Sequence, residues 1–142
     1  MTHDFRRLVL DANIMVSALL GKSFPFLVDL VERNVLLMAP ERQFDETLKI
    51  LASRPQATQE WAVAQVDRIR TIVAPLPDAM FAEHETKARS RLHARGQPDW
   101  PVLAASYETG AGVWSHDKDF FGSGAPVWST NILRTQMEAV DA

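Results

Sequence analysis

The stretch Arg7-Leu8-Val9-Leu10-Asp11-Ala12-Asn13-Ile14-Met15-Val16 decides how this chain is read. Leu8-Val9-Leu10 is apolar without alternation, the pattern of a short strand buried on both faces, as in a parallel sheet. It ends abruptly in a carboxylate. Ile14 to Leu20 then reads as a helix packed on that sheet, stopped by Gly21. A carboxylate closing a buried apolar strand is seldom decoration, so Asp11 is the first candidate for chemistry.

Outward from this unit the alternation continues. Phe24 to Arg33 is spaced for a helix, Val35 to Met38 for a second buried strand, and Glu41 to about Ser53 for a helix bracketed by Pro40 and Pro55. Thr58 to Ile69 reads as amphipathic, with Trp61, Ala62, Val66 and Ile69 on one side, leading to a third strand at Ile72-Val73. One long helix is expected from Ala79 to His93, with Gly96 and Pro98 breaking it. Asp99 occupies an N-cap position before a helix beginning at Pro101. Val113-Trp114-Ser115 and Val127-Trp128-Ser129 complete five strands, and a helix from Asn131 to Val140 ends the chain. Strands alternating with helices predict a three-layer α/β sandwich with a five-stranded parallel sheet, and the 142 residues are expected to form a single domain, 1–142.

Composition narrows the chemistry. Hydrophobic residues make up 46% and charged ones 23%, a globular balance. The absence of cysteine removes disulfides, thiolate ligands and a cysteine nucleophile, and fits a cytoplasmic setting. A formal net charge of −3 requires any nucleic-acid contact to come from local basic patches. Arg6-Arg7 before an apolar run resembles a leader, but Asp11 and Asn13 interrupt it, so an unexported protein with no membrane partner is expected. His3, His84, His93 and His116 have no metal-ligand spacing.

In open α/β sheets ligands gather at strand carboxyl ends where strand order reverses. Asp11 lies at the end of the first strand, Asp117 and Asp119 lie just past the fourth, and Asp99 opens the helix leading into the fourth. If the first and fourth strands are neighbours, these carboxylates converge. Two of them about 4 Å apart repel by roughly 4 kcal/mol at an effective dielectric near 20. Either a carboxyl holds a proton or a hard divalent cation compensates. Taken singly, each has a plainer reading: Asp99 as a helix cap, Asp117-Lys118-Asp119 as a solvated turn, Lys87, Arg89 and Arg91 as an exposed helix face.

Leu10-Asp11-Ala12-Asn13-Ile14, an acidic residue in the helix after the second strand, Pro98-Asp99 before an Ala-rich helix, and Trp114-Ser115-His116-Asp117-Lys118-Asp119-Phe120 together resemble the PIN-domain nucleases, most closely the VapC-like toxins of bacterial toxin–antitoxin pairs. The similarity runs from about Leu8 to Leu133. It implies adjacent first and fourth strands, a Mg²⁺- or Mn²⁺-dependent endoribonuclease, a homodimer, and a cognate antitoxin. It matches Asp11, Asp99 and Asp117 to metal-binding acids, Asn13 to a polar companion and Asp119 to an auxiliary ligand, and Ser115 would bond a carboxylate or phosphate. Helical periodicity places Asp45 and Glu46 alike beside the apolar face, and the family spacing from Pro40 favours Glu46. Relatives often carry an aspartate where this chain has Gly96, so the resemblance leaves the site one ligand short there. Arg89, Arg91, Arg95 and Lys118 are candidates for holding RNA, and the tryptophans and Tyr107 for base stacking, with Trp114 and Trp128 better placed in the core. Two alternatives stand beside this: a degenerate PIN-like module that binds RNA or protein without cleaving, and a strand-end-aspartate phosphatase, which would normally want a second acid where Asn13 stands.

Overall fold

A computed structural model describes residues 5–141; His3 and the ends of the expected 1–142 domain lie outside it. Five parallel strands run through the described residues: β1 (Arg7–Leu10), β2 (Leu36–Pro40), β3 (Ala74–Leu76), β4 (Gly112–Trp114) and β5 (Val127–Trp128). Their order is β3-β2-β1-β4-β5, so the chain reverses direction of growth between β1 and β4. Leu8, Val9 and Leu10 pair with Gly112, Val113 and Trp114.

The strands do not alternate apolar with polar because both faces are covered. Leu8, Leu10, Leu37, Ala39 and Trp114 point into one core, shared with α1 (Ala12–Leu20), α2 (Phe24–Glu32), α3 (Glu41–Ala52), α4 (Gln59–Arg70) and α8 (Thr130–Asp141). Val9, Met38 and Val113 point into the other, under α5 (Asp78–Phe81), α6 (Glu85–Ser90) and α7 (Trp100–Thr109). The expected three-layer parallel α/β fold is therefore present. In α7 every residue from Trp100 to Ser106 is buried, and Ala104 and Ala105 allow that helix to sit close on the sheet. Gly110 ends α7 in the left-handed region at φ 73°, its N–H returned to Ser106 O at 2.9 Å.

Three expectations are corrected. The third strand lies at Ala74–Leu76 rather than Ile72-Val73, because the N–H groups of Ile72 and Val73 are spent on the Ile69 carbonyl at the end of α4. Pro75 is tolerated within β3 because that strand is at the sheet edge, where one side of the ladder needs no donor. The single helix from Ala79 to His93 is instead α5, a 3₁₀ turn at Ala82–His84, and α6. The break seats Phe81 edge-on to Trp100 at 5.9 Å and His84 against Glu108 at 2.7 Å. α6 stops at Ser90, where the Gln97 side chain donates to the carbonyls of Arg89 and Leu92, both at 2.7 Å, satisfying groups the helix end leaves open. Trp61 lies outside the buried stripe of Ala62, Val66 and Ile69. No single described helix is long and apolar enough to cross a membrane.

Candidate metal centre

Asp11 leaves β1 in extended geometry and becomes the N-cap of α1, where its Oδ1 accepts the Ile14 N–H at 3.0 Å. Its Oδ2 accepts the Ser115 hydroxyl, which in turn accepts the Asp117 N–H at 2.9 Å. Asp117 Oδ1 accepts the Asp119 N–H at 2.9 Å, closing a short turn. Asp119 Oδ1 receives Arg95 Nη2 at 3.1 Å. One hydrogen-bonded chain thus joins the end of β1 to the loop after β4, which adjacent strands make possible. Burial pushes the Asp11 carboxyl up; the bonds from Ser115 and Ile14 act against it, and Asp117 adds to it.

Asp99 sits at the N-cap position of α7, yet its side chain makes no capping bond. Its carboxylate instead stands with those of Asp117 and Asp119. Burial first, then the charges of Asp117, Asp11 and Asp119, push its carboxyl up to about 6. Asp99, Asp117 and Asp119 each offer an oxygen, all within 4.8 Å of one another. Octahedral coordination at about 2.1 Å spaces ligand oxygens at roughly 3 to 4 Å, so this oxygen-only set suits a hard divalent cation. The electrostatics agree, since the neighbouring carboxylates raise the proton affinity of Asp99, and a cation would relieve that repulsion.

These groups face, or lie behind, an open cleft of ≈ 430 Å³ at the switch point of the sheet. Asp11, Asn13, Asp99 and Asp117 line it together with Arg42, Asp45, Glu46 and Lys49 from α3. Both Asp45 and Glu46 therefore reach the cleft, and both are exposed. Asp119 is 7% exposed and stands behind the lining, while Ser115 is buried as the bridge between Asp11 and Asp117. Asp11 lies outside the closest oxygen cluster. Arg89, Arg91, Arg95 and Lys118 do not line the cleft. Arg89 is tied to Glu85 at 2.8 Å, and Arg95 is tied to Asp119. Trp114 is fully buried and Trp128 nearly so, as core positions.

Gly96 acquires a physical meaning here. A Cβ at this position would stand 2.9 Å from Asp119 Cβ and 3.2 Å from Asp119 Cγ. Asp119 therefore fills the space that a side chain at 96 would need, and brings a carboxylate to the same side of the cluster.

Two residues escaped the sequence reading. Gln43, buried, accepts the Ala12 N–H at 2.8 Å through its side-chain oxygen, fixing α3 to the start of α1 beside Asp11. A polar residue at Gln43, followed by Thr47 one turn on, interrupts the otherwise apolar buried face of α3, and that was its only signal. Arg42, the residue before it, is the other and also lines the cleft.

Parallel strands with carboxylates gathered at their switch point define an α/β protein with an acidic site whose oxygens could hold a metal ion. The sequence profile of the PIN domain matches residues 9–138, and the chain belongs to the PIN domain family. No curated protein matches it in sequence. Among solved structures it is similar to VapBC2 from Rickettsia felis bound to a promoter DNA fragment, at TM-score 0.70 and 14% identity over 87% of this chain and 98% of that one. It is also similar to VapBC-1 from nontypeable Haemophilus influenzae, at TM-score 0.64 and 16% identity over 87% and 97%. Mycobacterium tuberculosis VapC20, described as a Sarcin-Ricin loop cleaving toxin, aligns at TM-score 0.59 and 18% identity over 83% and 95%. At these identities the likeness establishes the fold.

Proposed function

We propose that this chain is a single-domain, metal-dependent endoribonuclease and the toxin of a toxin–antitoxin pair, acting in the cytoplasm as a homodimer restrained by a cognate antitoxin. The observation that carries the nuclease reading is the set of three carboxylate oxygens from Asp99, Asp117 and Asp119 within 4.8 Å of one another at a cleft also lined by Asp11. The toxin and antitoxin parts of the reading are supported by family membership and by the likeness to VapBC structures, and the homodimer by the family resemblance alone.

In this reading Asp99 and Asp117 hold Mg²⁺ or Mn²⁺ directly, Asp119 completes the set, and Asp11 fixes the geometry of Asp117 through Ser115. The cation, when bound, lowers the pKa of a water and offsets charge developing on the scissile phosphate. Glu46 or Asp45, which faces the cleft from α3, would take up the proton of an attacking water. Asn13 lines the same wall and orients the water or a carboxylate. The phosphatase alternative fits poorly, because both Asp11 oxygens already accept hydrogen bonds, from Ile14 and Ser115, and no second acid stands at Asn13.

The test is incubation of the purified protein with mixed structured RNAs, in Mn²⁺ or in chelator, beside Asp11→Asn. Mn²⁺-dependent cleavage lost in the variant is expected. Binding without cleavage by the wild type would overturn catalysis in favour of the binding module, and release of phosphate from small phosphomonoesters would favour the phosphatase.

A further inference from the structure

α3 presents Arg42, Asp45, Glu46 and Lys49 to the cleft, positions three and four apart and so on one helix face. The wall opposite the Asp99–Asp117 cluster therefore starts and ends in a cation. Lys49 is exposed at its far end. Arg42 is held more firmly. Its Nε and Nη2 both meet Asp78 Oδ2 at 2.9 Å, and its guanidinium carbon lies over the Trp100 ring, 5.2 Å from the centroid. Arg89 lies over the same ring at 5.3 Å and is held by Glu85. Trp100 itself is 4% exposed, pinned edge-on by Phe81, and directly follows Asp99. Carboxylates and the ring of Trp100, the residue after Asp99, thus hold two guanidinium groups, Arg42 on the cleft wall and Arg89 outside its lining. Arg42 Nη1 has no hydrogen-bond partner among the described residues.

We propose that Arg42 and Arg89, stacked on Trp100, form with Lys49 a track for the phosphates flanking the scissile bond of a single-stranded RNA. The inference rests on the ribonuclease reading and specifies how its substrate is held. A chain with a net charge of −3 and a carboxylate-lined cleft repels a polyanion, so productive binding needs cations fixed at the rim. Guanidinium suits the task, since it presents a planar fork to phosphate and stacks without giving up its free donors. Prior ordering by Asp78, Glu85 and Trp100 lowers the entropy lost when phosphate binds. Arg42 binds phosphate; Trp100 is a positioning residue.

The experiment measures binding of a fluorescein-labelled single-stranded RNA dodecamer by anisotropy, in chelator so that nothing is cut, across a range of KCl concentrations. Arg42→Ala is expected to raise Kd about fivefold to tenfold and to reduce the slope of log K against log salt by roughly 0.7, one phosphate contact to a single strand. Trp100→Leu is expected to raise Kd with the wild-type slope kept, because both charges remain and only their placement is lost; Trp100→Phe, which keeps a ring, restores most of the affinity. Arg134→Ala, which removes a cation stacked on Phe26 of another layer, is the control and should match wild type. Equal Kd and slope for Arg42→Ala and Arg134→Ala would overturn the track, as would a wild type that binds no RNA. Mn²⁺-dependent cleavage by the wild type is scored separately, so a protein that binds through Arg42 yet cuts nothing refutes the nuclease reading and leaves the track standing.

Discussion

Gly96→Ala adds one methyl group and isolates the packing between position 96 and Asp119. The new Cβ would lie 2.9 Å from Asp119 Cβ, where carbon atoms normally rest at about 3.5 to 4.0 Å. At least one of the two must move by more than half an ångström, and Asp119 is buried and anchored by Arg95 and the Asp117 turn. Overpacking of this kind costs about 1 to 3 kcal/mol. Against it stands the gain of about 0.4 to 1 kcal/mol from restricting the unfolded chain, since Gly96 has no left-handed φ that alanine would resist. A net loss of roughly 1 to 2 kcal/mol is expected, which for a chain of this size lowers Tm by about 3 to 7 °C. In an Asp119→Gly background the obstructing Cβ is gone, and the same substitution should be neutral or slightly stabilising. Thermal melts of the four proteins give a coupling energy of at least about 1 kcal/mol. If Gly96→Ala behaves identically in both backgrounds, Asp119 does not occupy the place of the missing side chain.

Asp99 predicts a pH effect whose sign is opposite to that of a salt-bridged carboxylate. Its folded pKa is raised to about 6 from an ordinary 3.8, so the folded state keeps a proton that the unfolded state releases. Stability should therefore fall as pH rises from about 4 to above 6, by around 1 kcal/mol once the full shift is discounted for a half-exposed group. Melts in chelator at pH 4 and pH 8 should show this loss, and Asp99→Asn should reduce it; a loss of the same size in the variant would place its origin elsewhere. Ser115→Ala takes a donor from buried Asp11 and an acceptor from the Asp117 N–H, and should cost about 1 to 3 kcal/mol in urea unfolding. A cost under about 0.5 kcal/mol would mean that the bridge does not hold the two strand ends together.

The strand ends were legible because their signal is local. An apolar triplet running into Asp11 is at once a buried strand and a carboxylate at its edge, and the Trp114-to-Phe120 segment repeats that logic. The layered fold followed from the same alternation. What stayed hidden was set by contacts distant in sequence. Asp99 had the sequence of a helix cap, but its carboxylate caps nothing and stands with those of Asp117 and Asp119. Gly96 read as a missing ligand because nothing near it in sequence announces that Asp119 stands in the space. Gln43 and Arg42 lie 31 residues or more from the groups they serve, Ala12 and Trp100. β3 was misplaced by two residues because periodicity does not reveal that the end of α4 claims the N–H groups of Ile72 and Val73.

The central claim is that Asp99, Asp117 and Asp119 make a cation site. Titration of Mn²⁺ into the purified protein at pH 7.5, followed by the loss of the free-ion electron paramagnetic resonance signal, tests it without reference to any substrate. Saturable uptake of Mn²⁺ by the wild type, competed by Mg²⁺ and abolished in Asp117→Asn while the fold persists by circular dichroism, is the expected result. Uptake that does not saturate, or that is equal in wild type and Asp117→Asn, would contradict it.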